Sequence, residues 1–456
     1  MNPGGKITLN IESVNSEGEG VARPSSEGGF VVFVPGALPG ERVLCRVKRV
    51  SRNYAAASVL EILDASPDRV SPRCPSYGRC GGCQLQHASY GAQIGLKRVI
   101  LRDAMRRIGK MDVPDDIPCA PSSCEWGCRN KTTLPAGRVT GFYERRSHRI
   151  VPFAGCPVLK PPLEKLVHEI ISAHAGSGLK GYDERQGSGD IRAIAVRSGT
   201  RDDADELLVG VVAAREPDRR QFGALRNTHQ RLMAFDRRMK GSVLSIKTAR
   251  DNFIWGPVFR QICGAGSVNA GLGDYVFKLD ISSFFQINPG QAERIFSRVR
   301  SALRDVSAQR ALELYSGIGG LTVYIASVCE SVDAVEEWRP AVKLRRENME
   351  LNGAGGVRAF SESAESFMGG SDLKPGVYDA IVLDPPRTGA PEQVTSGIKR
   401  ISPGRIIYVS CNPATLARDV LRLAEDGQYS VTGLEAYDMF PQTSHVECLC
   451  VMDRNR

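Results

Sequence analysis

No stretch of the 456 residues strings together the roughly 18 apolar positions that a membrane-crossing helix requires. The start, MNPGGKITLNIES, has neither the basic opening nor the apolar run of a secretory signal. The expected address is therefore the cytoplasm, with no membrane partner. Charge of one sign is not in great excess: 60 Lys and Arg stand against 51 Asp and Glu, a formal net charge of +9. That balance permits a polyanionic partner without demanding one. There is no internal repeat, which sets solenoids and propellers aside. With 42% apolar and 24% charged residues, disorder or a fibrous repeat is excluded for the bulk of the chain. The length asks for two to four domains.

Cysteine is plentiful, at 13 residues. Cytosolic thiols are kept reduced, so these are read as ligands, nucleophiles or packing rather than as a disulfide framework. Cys74, Cys80 and Cys83 form C-x5-C-G-G-C in RCPSYGRCGGCQLQH, and Cys156 comes later, in AGCPV. Four thiolates can close a tetrahedral zinc site or hold a cubane iron–sulfur cluster, and spacing alone leaves both open. Gly81 and Gly82 let the backbone curl around a metal, while Pro75 and Pro157 stop regular structure beside it. A C-x3-C-x2-C motif is absent, which argues against radical chemistry. Cys45, Cys119, Cys124, Cys128, Cys263, Cys329, Cys448 and Cys450 are expected to pack as small hydrophobes, with the 119–128 group the nearest competitor for metal.

Residues 1–65 read as a small β-barrel, because KITLNIESV, GGFVVFVPGAL, ERVLCRVKRV and NYAAASVLEIL are short β-like runs divided by Gly, Pro and Asn turns. Arg42, Arg46, Lys48, Arg49 and Arg52 beside Tyr54 give it a basic stretch with an aromatic, as oligonucleotide-binding barrels display; a solvated charged face is the plain alternative. ASPDRVSPRCP reads as a linker. Residues 66–283 read as α+β. A helix over about 93–110 places Ile94, Leu101, Met105 and Ile108 on one side. Arg98, Arg102 and Arg106 form a stripe that can face phosphates or only water. RVTGFYE, DIRAIAVRSG and ELLVGVVAA are strand-like, whereas GSGLKGY, SGTRDDADE and GAGSVNAGLGD read as loops. From 284 to 456 helices and strands alternate, predicting a doubly wound α/β unit that binds ligands beyond the carboxyl ends of its strands.

Four segments fall at those strand ends: LELYSGIGG (312–320), LDPPR (383–387), VSCNPATLARD (409–419) and DMFPQTSHVE (438–447). Gly317, Gly319 and Gly320 let the backbone turn tightly against a ligand. Glu336, at the end of the next strand, is spaced to accept hydrogen bonds from a ribose diol. The third glycine of G-x-G-x-x-G is missing, so S-adenosylmethionine fits better than NAD. Asp384 is held by the two prolines behind it. Its tetrad ends in Arg387 rather than in a base-stacking aromatic, which argues against methylation of an exocyclic nitrogen. Cys411 lies at a strand-to-helix junction, where a helix N-terminus favours thiolate. A thiolate added to C6 of a pyrimidine makes C5 able to take a methyl from a sulfonium; a base then removes the C5 proton and the thiolate leaves. Glu447 is the candidate base. His445 is its competitor, or orients the site.

Taken together, Cys74, Cys80, Cys83 and Cys156 with SFFQIN and the four segments resemble the S-adenosylmethionine-dependent RNA uridine-5-methyltransferases that carry a TRAM barrel and an iron–sulfur cluster, of the 23S ribosomal RNA type. The likeness runs over nearly the whole chain. It implies a multidomain enzyme: an RNA-binding TRAM (OB-like) β-barrel, a central α+β domain with a [4Fe-4S] cluster on the four cysteines (zinc the alternative), and a Rossmann-like class I methyltransferase domain. It implies that Cys411 is the covalent nucleophile and that Glu447 deprotonates C5. It further implies that Gln286, Tyr315, Glu336 and Asp384, with Gly317 and Gly319, line the cofactor site, and that the helix near Arg98 packs back toward the catalytic domain. The target uridine would be flipped into the pocket. Ser316 stands where many relatives have Cys, and Gly320 where bacterial relatives have Asn; neither removes a catalytic group. Barrel plus cluster point first to 23S ribosomal RNA, second to the T-loop uridine of tRNA, and a monomer is expected. The rivals are a cytosine-5 methyltransferase, whose cysteine belongs in a Pro-Cys context, and a noncatalytic RNA-binding metalloprotein, which has no use for Cys411, Asp384 and Glu447 together.

Overall fold

The computed structural model describes residues 1–24, 30–202, 204–251, 253–370 and 373–455. Gly28 and Gly29, which open GGFVVFVPGAL, and Asp203 of SGTRDDADE lie outside them. Strands β1 (Lys6–Asn10), β2 (Ser13–Val14), β3 (Glu19–Ala22), β4 (Val31–Pro35), β5 (Arg42–Val50) and β6 (Tyr54–Asp64) form one sheet in the order β1-β5-β6-β4-β3-β2. Alternation along β5 turns Val43, Cys45 and Val47 into the core with Leu9, Val32 and Val34, and leaves Arg42, Arg46 and Lys48 outside. Arg69, in the linker, donates to the buried Glu41 at 2.5 Å and so ties the linker back onto the barrel.

Helix α1 (Tyr90–Arg107) comes next, capped by the Ser89 hydroxyl. Its buried face is Gln93, Leu96, Lys97, Ile100, Leu101 and Met105. Leu101 and Met105 face the core and Ile94 packs against it, as periodicity expects, but Ile108 is exposed and two polar side chains, Gln93 and Lys97, also point inward. They are tolerated because partners far along the chain, Gln442 and Asp438, satisfy them. Arg102 and Arg106 of the basic stripe both pair with Asp115.

The central sheet has the order β14-β13-β12-β11-β8. Its strands come after the short β7 (Cys119–Ala120) and are β8 (Lys131–Pro135), β11 (Ile191–Arg201), β12 (Ala204–Ala213), β13 (Met239–Ile246) and β14 (Val258–Gly264). The hairpin β9 (Gly141–Tyr143) and β10 (Ile150–Pro152) stands beside it, and α2 (Pro161–Ala175) and α3 (Arg219–Phe235) pack onto it. Two expected loops are strand instead. SGTRDDADE is mostly the paired ends of β11 and β12. GAGSVNAGLGD holds β15 (Ser267–Leu272), which pairs with β16 (Tyr275–Asp280) and buries Val268, Ala270 and Leu272 at alternate positions; the glycines hid a period-two pattern.

The last unit is a doubly wound sheet in the order β19-β18-β17-β20-β21-β23-β22-β7. It comprises α4 (Pro289–Asp305), β17 (Arg310–Leu314), α5 (Gly320–Ala326), β18 (Ser331–Val335), α6 (Arg339–Leu351), β19 (Val357–Phe360), α7 (Ala364–Met368), β20 (Ala380–Leu383), α8 (Glu392–Ile401), β21 (Arg405–Ser410), α9 (Pro413–Ala424), β22 (Tyr429–Tyr437) and β23 (Glu447–Arg454). The strands β19 to β21 are parallel and β23 runs antiparallel to both its neighbours. Ile406, Ile407, Tyr408 and Val409 are wholly buried, as a strand covered on both faces requires; burying each is worth about 1.5–3 kcal/mol. Helix α1 packs on α9 over one face of this sheet, and the β15–β16 hairpin joins α4 and α5 over the other. Chain order reverses between β17 and β20, which opens a crevice at their carboxyl ends.

Candidate active site

At that crevice β17 runs into Tyr315, a non-glycine residue at φ 64°, then Gly317 at φ 54° and Gly319 at φ 88°. Only glycine fits at 319, because an added Cβ would lie 2.6 Å from Met349 and 2.9 Å from Arg345. The Gly317 N–H donates to Glu336 at 3.0 Å, and the other Glu336 oxygen accepts from Trp338 N–H at 2.8 Å. Ser316 is buried; its hydroxyl donates to the Val335 carbonyl at 3.0 Å and accepts from Arg345. The residue that departs from relatives therefore stitches the glycine loop to β18 and α6. Beneath it lies Glu313, which sequence reasoning passed over. Burial pushes its carboxyl up to about 8, and one of its oxygens is buried without a hydrogen-bond partner. An acid inside the apolar run ALELY was the available signal. The Tyr315 hydroxyl is likewise buried and unpartnered. Gln286 is buried, with its carbonyl held by the Asn130 side chain at 3.1 Å, while Phe284 two residues earlier is 67% exposed.

The other strand ends bring Asp384, Cys411 and Glu447 together. Burial raises the Asp384 carboxyl above the ordinary range, and burial together with Asp384 does the same to Glu447. Cys411 is half-buried directly before Asn412, which caps α9. The thiol is pushed up to about 11, by burial first and then by Glu447 and Asp384, with Arg387 opposing. Desolvation and the two neighbouring acidic groups thus act against the helix end that faces the thiol. Arg387 lies between the groups. Its carbonyl accepts from the Asn412 side chain at 2.9 Å, and its guanidinium donates to His445 Nδ1 at 2.8 Å. Burial and Arg387 lower His445 to about 4.

The loop carrying His445 toward Glu447 is fixed by residues that motif reading did not select. Lys97, fully buried, pairs with Asp438 and donates to the Phe440 carbonyl at 3.0 Å. Tyr90 donates to the second Asp438 oxygen at 2.7 Å. Gln93 exchanges two 3.0 Å hydrogen bonds with Gln442, which sits at φ 71°. From the barrel side, the Ser16 carbonyl accepts from Ser444 at 2.9 Å.

Comparison with known proteins agrees with this arrangement. Residues 267–455 match the tRNA (Uracil-5-)-methyltransferase family, and residues 2–60 match the TRAM domain. An uncharacterized RNA methyltransferase of Halalkalibacterium halodurans is 32% identical over 99% of this chain and 98% of its own. One from Gloeobacter violaceus is 33% identical over 99% and 97%. The chain belongs to the RNA uracil-5-methyltransferase family. The crystal structure of Pyrococcus abyssi tRNA (uracil-54, C5)-methyltransferase, in complex with S-adenosyl-L-homocysteine, superposes with a TM-score of 0.75 at 26% identity, covering 98% of this chain and 99% of that one. This uracil-5-methyltransferase is thus an S-adenosylmethionine-dependent enzyme acting on RNA, with a TRAM barrel and a class I methyltransferase fold.

In this methyltransferase Cys74, Cys80, Cys83 and Cys156 line one cavity of about 70 Å³, with Tyr77 and Arg129 beside them. Burial raises the Cys80 and Cys83 thiols and pushes Cys156 up to about 12, so a metal would have to displace protons to bind. The Gly82 N–H points at Cys80 sulfur at 3.4 Å. Among the described residues no three His, Cys, Asp or Glu side chains are arranged to hold a single metal ion. Cys124 and Cys128 are joined in a disulfide, with Cα atoms 5.9 Å apart, a pairing the sequence reading did not expect; C-x3-C spacing in a loop brings the two within bonding reach. No helix among the described residues is long and apolar enough to cross a membrane.

Proposed function

We propose that the enzyme methylates C5 of a uridine in 23S ribosomal RNA, with Cys411 as covalent nucleophile and Glu447 as base. The observation carrying this reading is the meeting of the half-buried Cys411 and Asp384 with the buried Glu447 and the exposed Arg387, where Glu447, Asp384 and Arg387 each perturb the thiol. S-Adenosylmethionine supplies the methyl group as a sulfonium, and the Gly317–Gly319 loop, Glu336, Tyr315, Gln286 and Asp384 surround its place. The half-buried Cys411 loses its proton to solvent and adds as thiolate, which Arg387 favours; the sulfur–C6 bond forms and the C5–C6 electron pair moves onto C5 and O4. Two interacting acids share a proton more readily than both ionise, so Asp384 can donate a hydrogen bond toward O4 while Glu447 stays a base toward C5. C5 takes the methyl as the methyl–sulfonium bond breaks, its electron pair staying on the sulfur of S-adenosylhomocysteine; Glu447 then removes the C5 proton, the C6–sulfur bond breaks with its pair on the departing thiolate, and the double bond is restored. His445 is the weaker candidate for base: its Nδ1 already accepts from Arg387, and it is lowered to about 4. Its role is orientation.

The donor set around the cysteine cavity is all thiol, with an amide N–H aimed at sulfur. That chemistry suits a [4Fe-4S] cluster on Cys74, Cys80, Cys83 and Cys156, with zinc the alternative. The barrel together with the four cysteines supports 23S ribosomal RNA as target. The likeness to a tRNA (uracil-54, C5)-methyltransferase favours the second reading, a T-loop uridine of tRNA.

The test is to incubate the protein with labelled S-adenosylmethionine and, separately, unmodified 23S ribosomal RNA and tRNA transcripts, then identify the nucleoside by mass spectrometry. 5-Methyluridine in the ribosomal transcript is expected, and none with Cys411→Ala. 5-Methylcytidine would overturn the uridine reading, and product in tRNA alone would move the target. Iron and sulfide analysis after anaerobic purification tests the cluster; a colourless, zinc-loaded protein would sink it.

A further inference from the structure

Most large apolar side chains of this enzyme are buried, but one run is not. Phe253 is 79% exposed, Ile254 48%, Val258 47% and Phe259 39%, all within seven consecutive residues. They lie on the approach to β14 and on β14 itself, the edge strand of the central sheet, which among the described residues pairs only with β13. Their exposure is built in. The Gly256 N–H is bonded to Ser245 Oγ at 3.0 Å, and no Cβ fits at 256 because it would strike the Ile246 carbonyl. Trp255 is seated over Gly210 of β12, with an added Cβ there 3.0 Å from its ring. The ring of Phe259 stands 6.0 Å from that of Trp255. With Gly256 held against β13 and Trp255 turned in, Phe253 and Phe259 are left exposed.

The chemistry around the ridge indicates what covers it. Phe253 and Ile254 border one groove of about 1190 Å³ together with Arg138, Arg185 and Arg192; Lys247 beside them is paired with Asp251, and Arg260 of β14 with Glu216. Lys247 Nζ stands 5.9 Å from the Phe253 ring, and Lys131 Nζ 5.9 Å from that of Trp255. Lys131 also donates to the Ser283 carbonyl at 3.2 Å, in the turn that leads into Phe284 and Gln286. Packed contacts through Trp255 and Lys131 thus tie the ridge to the turn that carries Gln286. Exposed rings at the rim of an arginine-lined groove, on an enzyme that acts on RNA, match the way single strands are held, with bases on aromatic faces and phosphates on cations.

We infer that the Phe253–Phe259 ridge is a stacking platform for unpaired bases of the substrate RNA flanking the uridine in the active site. The inference rests on the reading that the enzyme's substrate is RNA. It assigns the central sheet a recognition surface separate from the TRAM barrel and from the catalytic crevice. An edge strand can also pair with a second copy of the chain, so the test must tell the two occupants apart.

The full chain and its Phe253→Ala/Phe259→Ala variant are titrated with a single-stranded RNA carrying an unmodified uridine, with the same sequence as a duplex, and with S-adenosylmethionine. Unchanged cofactor affinity verifies that the variant folds. The platform predicts that single-stranded RNA binds about tenfold more weakly per ring removed, and that KM for RNA rises while kcat at saturating RNA is kept. A variant that binds and methylates as the parent does overturns the platform while leaving the RNA reading intact. A parent that binds neither 23S nor tRNA transcript overturns both. A parent dimer by sedimentation that Phe253→Asp dissociates, with RNA affinity unmoved, assigns the ridge to a second copy.

Discussion

Burial raises the Asp384 carboxyl, and burial together with Asp384 raises that of Glu447. A carboxyl raised in this way is suited to take a proton from C5 and give it up again. In the proposed mechanism its step comes after the sulfur has added and the methyl has moved. Glu447→Gln should therefore lower kcat by about 10²–10⁴ while accumulating an RNA–protein adduct that survives denaturing electrophoresis. Cys411→Ala should show no adduct. An unimpaired Glu447→Gln, or one that stalls with no adduct, would move the base elsewhere. At this scale the groups legible in the sequence were those whose own neighbours announce them: Cys411 between a β run and a capped helix, Asp384 before two prolines. Glu313, Lys97, Gln93 and Tyr90 were not legible, because their meaning lies in partners. Lys97 and Asp438 are 341 residues apart, Tyr90 and Asp438 348, and Gln93 and Gln442 349. A lysine inside an amphipathic helix looks like a solvated residue until its carboxylate is known. The groups that oppose the helix end at Cys411 were hidden for the same reason, since Asp384 and Glu447 come from other strands.

Among the elements, α1 carries the expected face and more. Leu101, Met105 and Ile94 turn to the core as periodicity expects, but Lys97 and Gln93, reaching the 438–442 loop, widen the buried face and Ile108 falls outside it. Removing one member of a buried ion pair leaves the other uncompensated and costs about 3–5 kcal/mol. Lys97→Met should lose that much stability in urea unfolding, whereas Arg102→Ala, paired near the surface with Asp115, should lose about 1 kcal/mol or less. Equal losses would mean that Lys97 is not the anchor of the loop. Helices α2 and α3 meet through a second hidden contact, His174 Nε2 to His229 Nε2 at 3.0 Å, with both Nδ1 atoms buried and unpartnered. Burial lowers His174 to about 4, and burial with the neighbouring ring lowers His229 to about 3. In the unfolded chain each takes up its proton near pH 6.5, well before the folded protein does. Stability is therefore greatest above that pH and falls as pH drops toward 4, by up to about 1.4 kcal/mol per pH unit for each histidine. The urea midpoint should drop steeply over this window, and His229→Gln should flatten the slope; an unchanged slope would show that the pair is not the cause.

At the scale of the whole molecule, the four strand-end motifs all lie after residue 284, yet the site they form does not stand without the rest of the chain. The catalytic sheet takes its outer strand from Cys119–Ala120, parallel to β22. One face is covered by α1, and the other by the β15–β16 hairpin. The Ser122 hydroxyl accepts from Asn288, the cap of α4, and Asn130 bonds the Gln286 carbonyl. The cofactor wall is thus braced by residues 120–130, and the loop bearing His445 is braced by α1 and by the barrel. Composition and alternation made three kinds of architecture readable, barrel, α+β and doubly wound sheet, because each depends on local periodicity. The interlocking was not readable, since it depends on which surfaces are left uncovered when each unit folds. A fragment of residues 284–456 would expose the core faces that Leu101 and Met105 of α1 and Phe277 of β16 now bury. Each such contact returned to water costs about 1.5–3 kcal/mol, and these three alone rival the roughly 5–15 kcal/mol by which a domain of ordinary stability stays folded. The fragment should therefore be insoluble, or lack near-ultraviolet circular dichroism and bind no S-adenosylmethionine, while a chain lacking only residues 1–65 should still bind the cofactor and lose affinity for RNA. A soluble 284–456 fragment that binds S-adenosylmethionine as the full chain does would show that the bracing is dispensable, and that the earlier two-thirds of the molecule serve RNA recognition alone.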